Sequence, residues 1–178
     1  MKAPEQIQTE RLLLKRPIPQ DTELVFARYS SDPEVTKYVA WRKHDSSEEA
    51  KTFITFSDSQ WKKWPAGPYL VFSKDHGMLL GGTGLHFETP KKAATGYVFA
   101  KDSWGKGYAT ESLYAMVDLA RTLKISHLYA TCHVDHRASA RVLEKCGFTL
   151  EKVLRKNTEF PNLSPGKLLD VLCYSMKF

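Results

Sequence analysis

The hydrophobic period of the chain changes near residue 101, and this change constrains the fold more than any other feature. Tyr69 to Ser73, Met78 to Phe87 and Gly96 to Lys101 read as three strands separated by turn residues at Lys74 to Gly77 and Thr89 to Lys92, which predicts an antiparallel meander. Leu113, Met116, Val117 and Ala120 then follow the i, i+3, i+4, i+7 spacing of a helix of about four turns, from Tyr108 to Lys124. His127 to Val134 returns to strand character. A strand, helix, strand order needs a crossover, so a parallel pair is expected inside an otherwise antiparallel sheet. The expected class is α/β of the α+β type, a central mixed and mostly antiparallel sheet flanked by helices.

The remaining segments fit that frame. Thr9 to Arg16 reads as a strand stopped by Pro17, and Gln20 to Tyr29 as one or two helical turns. Ser46 and Glu49 form a capping-box pattern at the head of a helix that carries Ala50, Phe53, Ile54, Ser57, Trp61 and Trp64 on one stripe and stops at Pro65. Ala138 to Cys146 reads as a helix stopped by Gly147, and Phe148 to Leu154 and Leu168 to Phe178 as the closing strands. Residues 1–8 are expected to be an N-terminal tail and 9–178 one domain, since 178 residues can bury a core without disulfides. Cys132, Cys146 and Cys173 are odd in number and widely spaced, which fits a reducing compartment. The opening MKAPEQIQTE has no apolar run, so a cytoplasmic location is expected, and no stretch has the length of a membrane span. The net charge of +6 allows an anionic partner, but its densest basic clusters are pairs rather than tracts, which disfavours nucleic acid.

Chemistry concentrates in Trp104-Gly105-Lys106-Gly107-Tyr108-Ala109-Thr110-Glu111, a glycine-rich turn between a strand and a helix. Small residues let a ligand approach the backbone, and the first amides of a helix lack intrahelical acceptors, so the turn suits a phosphate or pyrophosphate. It fits neither the Walker loop nor GxGxxG. Cys132, His133 and His136 lack a fourth ligand at metal spacing; strand-end packing and capping are expected of them, with no metal. Trp61 and Trp64 belong to an apolar stripe, and Trp41 could face an acceptor.

The order strand, WGKGYATE, amphipathic helix, strand and HRASARVLEKCGF resembles the GNAT superfamily of N-acetyltransferases, in particular its ribosomal-protein N-terminal acetyltransferase (RimJ/RimL-like) branch. The first element is similar to the family's (Q/R)xxGx(G/A) pyrophosphate loop and the second to its NxxSxxxLxKxGF segment. TERLLLKR, SSEEAKTFI and LLDVLCYSM extend the similarity over residues 9–176. The resemblance implies that acetyl-CoA is the acyl donor. Trp104, Gly105, Lys106, Gly107, Tyr108, Ala109 and Thr110 would hold its diphosphate. Val98, Phe99 and Ala100 would pair with the pantetheine arm, and His136 would stand in the family's asparagine position. Ser139 would lie near the thioester sulfur and protonate the departing thiolate. The chain departs from the family pattern at Trp104 (Gln or Arg), His136 (Asn) and Ala94, where many relatives carry a glutamate. The last change removes the obvious base and leaves Glu88 and Glu159 as candidates.

Amide formation requires a neutral amine. At pH 7 a lysine side chain costs about 4.6 kcal/mol to deprotonate and an α-amine about 1 to 1.4 kcal/mol. Without a strong base this favours a protein N-terminus or a small amine of low pKa as the acceptor. Segments 30–65 and 155–168, with the loop Asn157 to Lys167, are expected to form its groove, and a homodimer is compatible with the sequence. Two other readings are a non-catalytic acyl-CoA binding module and a basic ribosome- or RNA-associated protein.

Overall fold

The computed structural model describes residues 1–178. Its centre is an eight-stranded sheet in the order β1-β2-β3-β4-β5-β6-β8-β7, with β1 Gln6–Gln8, β2 Leu12–Lys15, β3 Pro68–Ser73, β4 Leu79–Thr89, β5 Lys92–Phe99, β6 His127–His133, β7 Thr149–Glu159 and β8 Leu168–Lys177. Every neighbouring pair is antiparallel except β5 and β6. The crossover that makes them parallel is α3, Tyr108–Thr122, as its period requires. Helices α1 (Thr22–Val25), α2 (Ser47–Lys63) and α4 (Arg137–Lys145) complete the fold.

Alternation along β3 shows how the sheet divides two cores. Tyr69 and Val71 pack with Leu113, Met116, Val117 and Ala120 of α3, whereas Leu70 and Phe72 pack with Val25, Tyr29 and Ala50 near α1 and α2. Leu113, Met116 and Val117 are buried, worth about 1.5 to 3 kcal/mol each, and they fix α3 against the sheet.

Several expectations need correction. Residues 1–8 are not a free tail: Gln6–Gln8 pairs with Leu13 to Lys15, Ala3 is buried, and the Tyr69 hydroxyl donates to the Pro4 carbonyl at 2.7 Å. Three polar-flanked residues carry too little periodicity to signal an edge strand. The capping box at Ser46 does not form. The Ser46 side chain caps nothing, and Glu49 reaches one residue further back, accepting from the Asp45 N–H at 2.6 Å. β5 begins at Lys92 rather than Gly96, because the Thr89–Lys92 turn is tight enough for pairing to start at once. β7 runs past Leu154 to Glu159 through irregular register against β8, which shortens the expected late loop to residues 160–167.

Gly81 keeps β4 close to β5. A Cβ there would collide with the Val98 carbonyl and lie 2.8 Å from the Phe99 Cα. Gly81→Ala is expected to lower unfolding free energy by about 2 to 3 kcal/mol, as overpacking does, measured by the denaturation midpoint at constant m-value. A change under 0.5 kcal/mol would contradict that close approach.

Candidate active site

The parallel pair is short. β5 and β6 pair only at Lys92 with His127, Ala93 with Leu128 and Ala94 with Tyr129, and then diverge. Beyond that point β5 remains paired with β4, and β6 with β8, so the strands separate without either leaving the sheet. The gap is a cleft of about 790 Å³ walled by Thr95 to Phe99 on one side and Ala130 to Cys132 on the other. Backbone alternation decides which groups face it. The Ala100 N–H donates to the Leu80 carbonyl at 2.8 Å, toward β4, so the Tyr97 and Phe99 peptide groups point the other way, into the gap.

The glycine-rich turn closes one end of this cleft. Gly105 and Gly107 adopt φ of 72° and 79°, the left-handed region that glycine occupies without strain. The six N–H groups from Gly105 to Thr110 meet no acceptor within the chain; the first bonded amide is Glu111, which donates to the Gly107 carbonyl at 3.0 Å. Six free amides at the positive end of a fifteen-residue helix make an anion cradle. The Trp104 indole N–H donates to the Phe99 carbonyl at 2.8 Å, joining the turn to the end of β5.

Sequence spacing gave no sign of the group that pins the turn from behind. Glu111 accepts from the Thr9 hydroxyl at 2.5 Å, from the Arg11 N–H at 2.8 Å and from the Arg11 guanidinium at 2.7 Å. Arg11 also donates to the Lys106 carbonyl at 2.9 Å and lies over the Tyr108 ring. Burial alone would raise the Glu111 carboxyl, but these hydrogen bonds outweigh it and hold it below the ordinary carboxylate range.

Across the cleft, α4 presents Ser139 one turn beyond His136. The Tyr97 hydroxyl donates to the Ser139 carbonyl at 2.9 Å and lies 3.0 Å from Ser139 Oγ. Either hydroxyl can donate across that pair. Burial pushes the Tyr97 hydroxyl well up and the Cys132 thiol up to about 11, so both remain protonated at neutral pH. His136 caps no helix with its side chain; its ring stacks on Tyr38 with centroids 4.7 Å apart, and the same tyrosine stacks on His133 at 5.1 Å. Burial, then the neighbouring His133, lowers the His136 pKa below its ordinary 6.5.

The third wall comes from the segment between α1 and α2, through Glu34, Val35, Lys37, Tyr38 and Val39. Asn162 holds it in place, donating to the Thr36 and Trp41 carbonyls and accepting from the Lys43 N–H, each at 2.8 Å. The two segments expected to form the acceptor groove therefore meet.

Of the residues singled out in the sequence, Val98, Phe99, Trp104, Gly105, Gly107, Tyr108, Ala109, Thr110, His136 and Ser139 line the cleft. Four others do not. Ala100 is buried in the core behind β5 with its N–H already bonded, and the Lys106 side chain is exposed outside the lining. Glu88 lies beside the closed part of the β5–β6 pair, bonded to Lys92 and Tyr129, which hold its carboxyl below the usual range and remove it as a base. Glu159 accepts from the Gly166 N–H at 2.9 Å, also away from the cleft. Cys132, His133 and His136 do not form a metal-ligand group.

The fold that carries this cleft is shared with known proteins. Residues 11–149 match the acetyltransferase (GNAT) domain family. The chain belongs to the GNAT acetyltransferase family. It is 31% identical over 153 residues to the uncharacterized N-acetyltransferase YoaA of Bacillus subtilis, covering 84% of this chain and 86% of that protein. It superposes on a GNAT-family acetyltransferase structure from Bacillus anthracis with a TM-score of 0.83 and 25% identity, covering 97% of this chain and 98% of that one. RimL, a ribosomal L7/L12 α-N-protein acetyltransferase in complex with coenzyme A, shares the fold at a TM-score of 0.85 and 23% identity, with 98% of each chain covered. No helix of this GNAT enzyme is long and apolar enough to cross a membrane.

The depressed Glu111 carboxyl contributes stability fully above the ordinary glutamate pKa of about 4.3 and loses it as pH falls through the lowered folded value. Wild type is therefore expected to exceed Glu111→Gln in stability at pH 7, with the gap shrinking below pH 4, measured by urea unfolding across pH. A gap independent of pH would contradict the assignment.

Proposed function

We propose that this GNAT enzyme transfers an acetyl group from acetyl-CoA to a primary amine, either a protein N-terminal α-amine or a small amine of low pKa. The observation that carries the reading is the split between β5 and β6 ending at six free amides. Unpaired strand edges favour an extended ligand with its own amides, which joins as a surrogate strand, and the amide cradle favours a diphosphate. Coenzyme A has both parts, and the solved RimL structure contains it. The amides of Gly105 to Thr110 would hold the diphosphate, and the Tyr97 and Phe99 peptide groups would pair with the pantetheine arm. When bound, acetyl-CoA supplies an activated acetyl thioester.

The chain's own residues then have distinct tasks. The Tyr97 and Phe99 edge orients the acyl group and offers N–H donors to the charge that develops on its oxygen. Ser139 Oγ, held by Tyr97, gives a proton to the departing sulfur, which at a pKa near 8.5 needs only modest help. The wall formed by Val35, Tyr38 and Val39 receives the amine from the side opposite the glycine turn. The only carboxylate in the cleft, Glu34, is paired with Lys101 at 2.6 Å near the surface. A site so poor in free carboxylates favours an acceptor that is cheap to deprotonate, in line with the amino-terminal substrate of RimL.

At one hundred times its dissociation constant, acetyl-CoA is expected to add about 2.7 kcal/mol, a rise of about 5 to 10 °C in the melting temperature. Gly107→Glu should remove the rise by placing a carboxylate in the cradle. Thiol release with a peptide bearing a free α-amine or with a small amine of low pKa, blank hydrolysis subtracted, should exceed release with the N-acetylated peptide. An unchanged wild-type melting temperature would overturn the coenzyme reading; stabilisation without turnover of any amine would favour a binding module.

A further inference from the structure

We propose that His136 is the catalytic proton acceptor, taking the proton that the acceptor amine sheds as its nitrogen bonds the acetyl carbon. This rests on the acetyl-transfer reading above and adds a residue that the reaction requires. Three observations converge. His136, the N-cap residue of α4, lines the cleft three positions before Ser139, so a base at one and an acid at the other can serve the same reacting carbon. Neither ring nitrogen is used by a protein hydrogen bond, whereas the nearby His133 accepts from the Asp135 N–H at 3.1 Å through Nδ1. The ring plane is fixed by the stack on Tyr38, and Tyr38 belongs to the segment that Asn162 ties down.

No other group in the cleft fits the task. Glu34 is committed to Lys101, Glu88 and Glu159 lie elsewhere, and Tyr97 and Cys132 are held protonated by burial. The groups around His136 are Glu34, Lys37 and Tyr38 from the acceptor wall, His133 and Asp135 from the end of β6, Tyr97 from β5, and Arg141 and Lys145 from α4. Burial and the neighbouring His133 favour the neutral imidazole, the form that can accept a proton.

The step balances as follows. The amine nitrogen forms a bond to the acetyl carbon and the carbon–sulfur bond breaks. The N–H proton passes to a His136 nitrogen, and a proton from Ser139 Oγ passes to the sulfur. Solvent then takes the proton from His136 and returns one to Ser139, leaving the amide and a free thiol.

Three measurements on the full-length protein test the proposal, with a free-α-amine peptide, or the best amine from the thiol-release screen, as the acceptor. His136→Asn is expected to fold, to bind coenzyme A by calorimetry within threefold of wild type, and to lose about 10²-fold or more in kcat. The wild-type kcat should rise with pH through a value below 6.5, and that limb should be absent in the variant. His136→Ala should regain activity with added imidazole, in proportion to its neutral form, and should show no rescue from added acetamide. Retained kcat in His136→Asn, loss of coenzyme A binding, or failure of imidazole rescue in a folded His136→Ala protein would each overturn the assignment. If wild type turns over no amine, the acetyl-transfer reading and this proposal fall together; retained turnover in the variants removes the proposal alone.

Discussion

The structure depends on a sheet that stops pairing partway. β5 and β6 share three residue pairs and then separate, while each remains fully paired on its other edge. An unsatisfied strand edge inside a protein is costly, and two facing each other across a cleft are tolerable only if solvent or a ligand satisfies them. The rest of the fold stabilises this arrangement. α3 carries the chain across the sheet and leaves its free amides at the mouth, α4 covers the gap with Tyr97 bonded to Ser139, and the close contact at Gly81 keeps β5 on its other neighbour.

Polar groups near the cleft are arranged by how strongly each is held. The Glu111 carboxylate is tied by three donors and serves as an anchor rather than a reagent. Ser139 and Tyr97 share hydrogens across the gap between β5 and α4. His136 alone combines a fixed ring with free nitrogens. In the proposed reaction the chemistry falls to groups whose positions are set by stacking and by main-chain contacts.

What was legible in the sequence follows the range of the interaction. The period of α3, the glycine-rich turn before it and the stop at Gly147 are local, and the residues declare them. The need for a crossover is local too, and it requires the parallel pair. The groups that complete the site are distant. Arg11 meets Glu111 from a hundred positions away, Asn162 reaches Thr36 across more than a hundred, and Tyr97 finds Ser139 only because α4 lies over β5. No spacing rule encodes such contacts. Ala100 and Glu88 were misplaced for a related reason: alternation turns the Ala100 amide toward β4, and the extent of β5–β6 pairing, which sets where Glu88 lies, cannot be read from either strand alone.

The central claim is that the split and the glycine turn form one continuous binding surface of backbone amides. Amide hydrogen exchange with and without coenzyme A, resolved by residue, tests it most directly. Binding is expected to slow exchange at Gly105 to Thr110 together with Tyr97 and Phe99, leaving Ala100 unchanged because its hydrogen is already bonded to Leu80. Protection confined to other surfaces, or protection of the turn without Tyr97 and Phe99, would contradict the account.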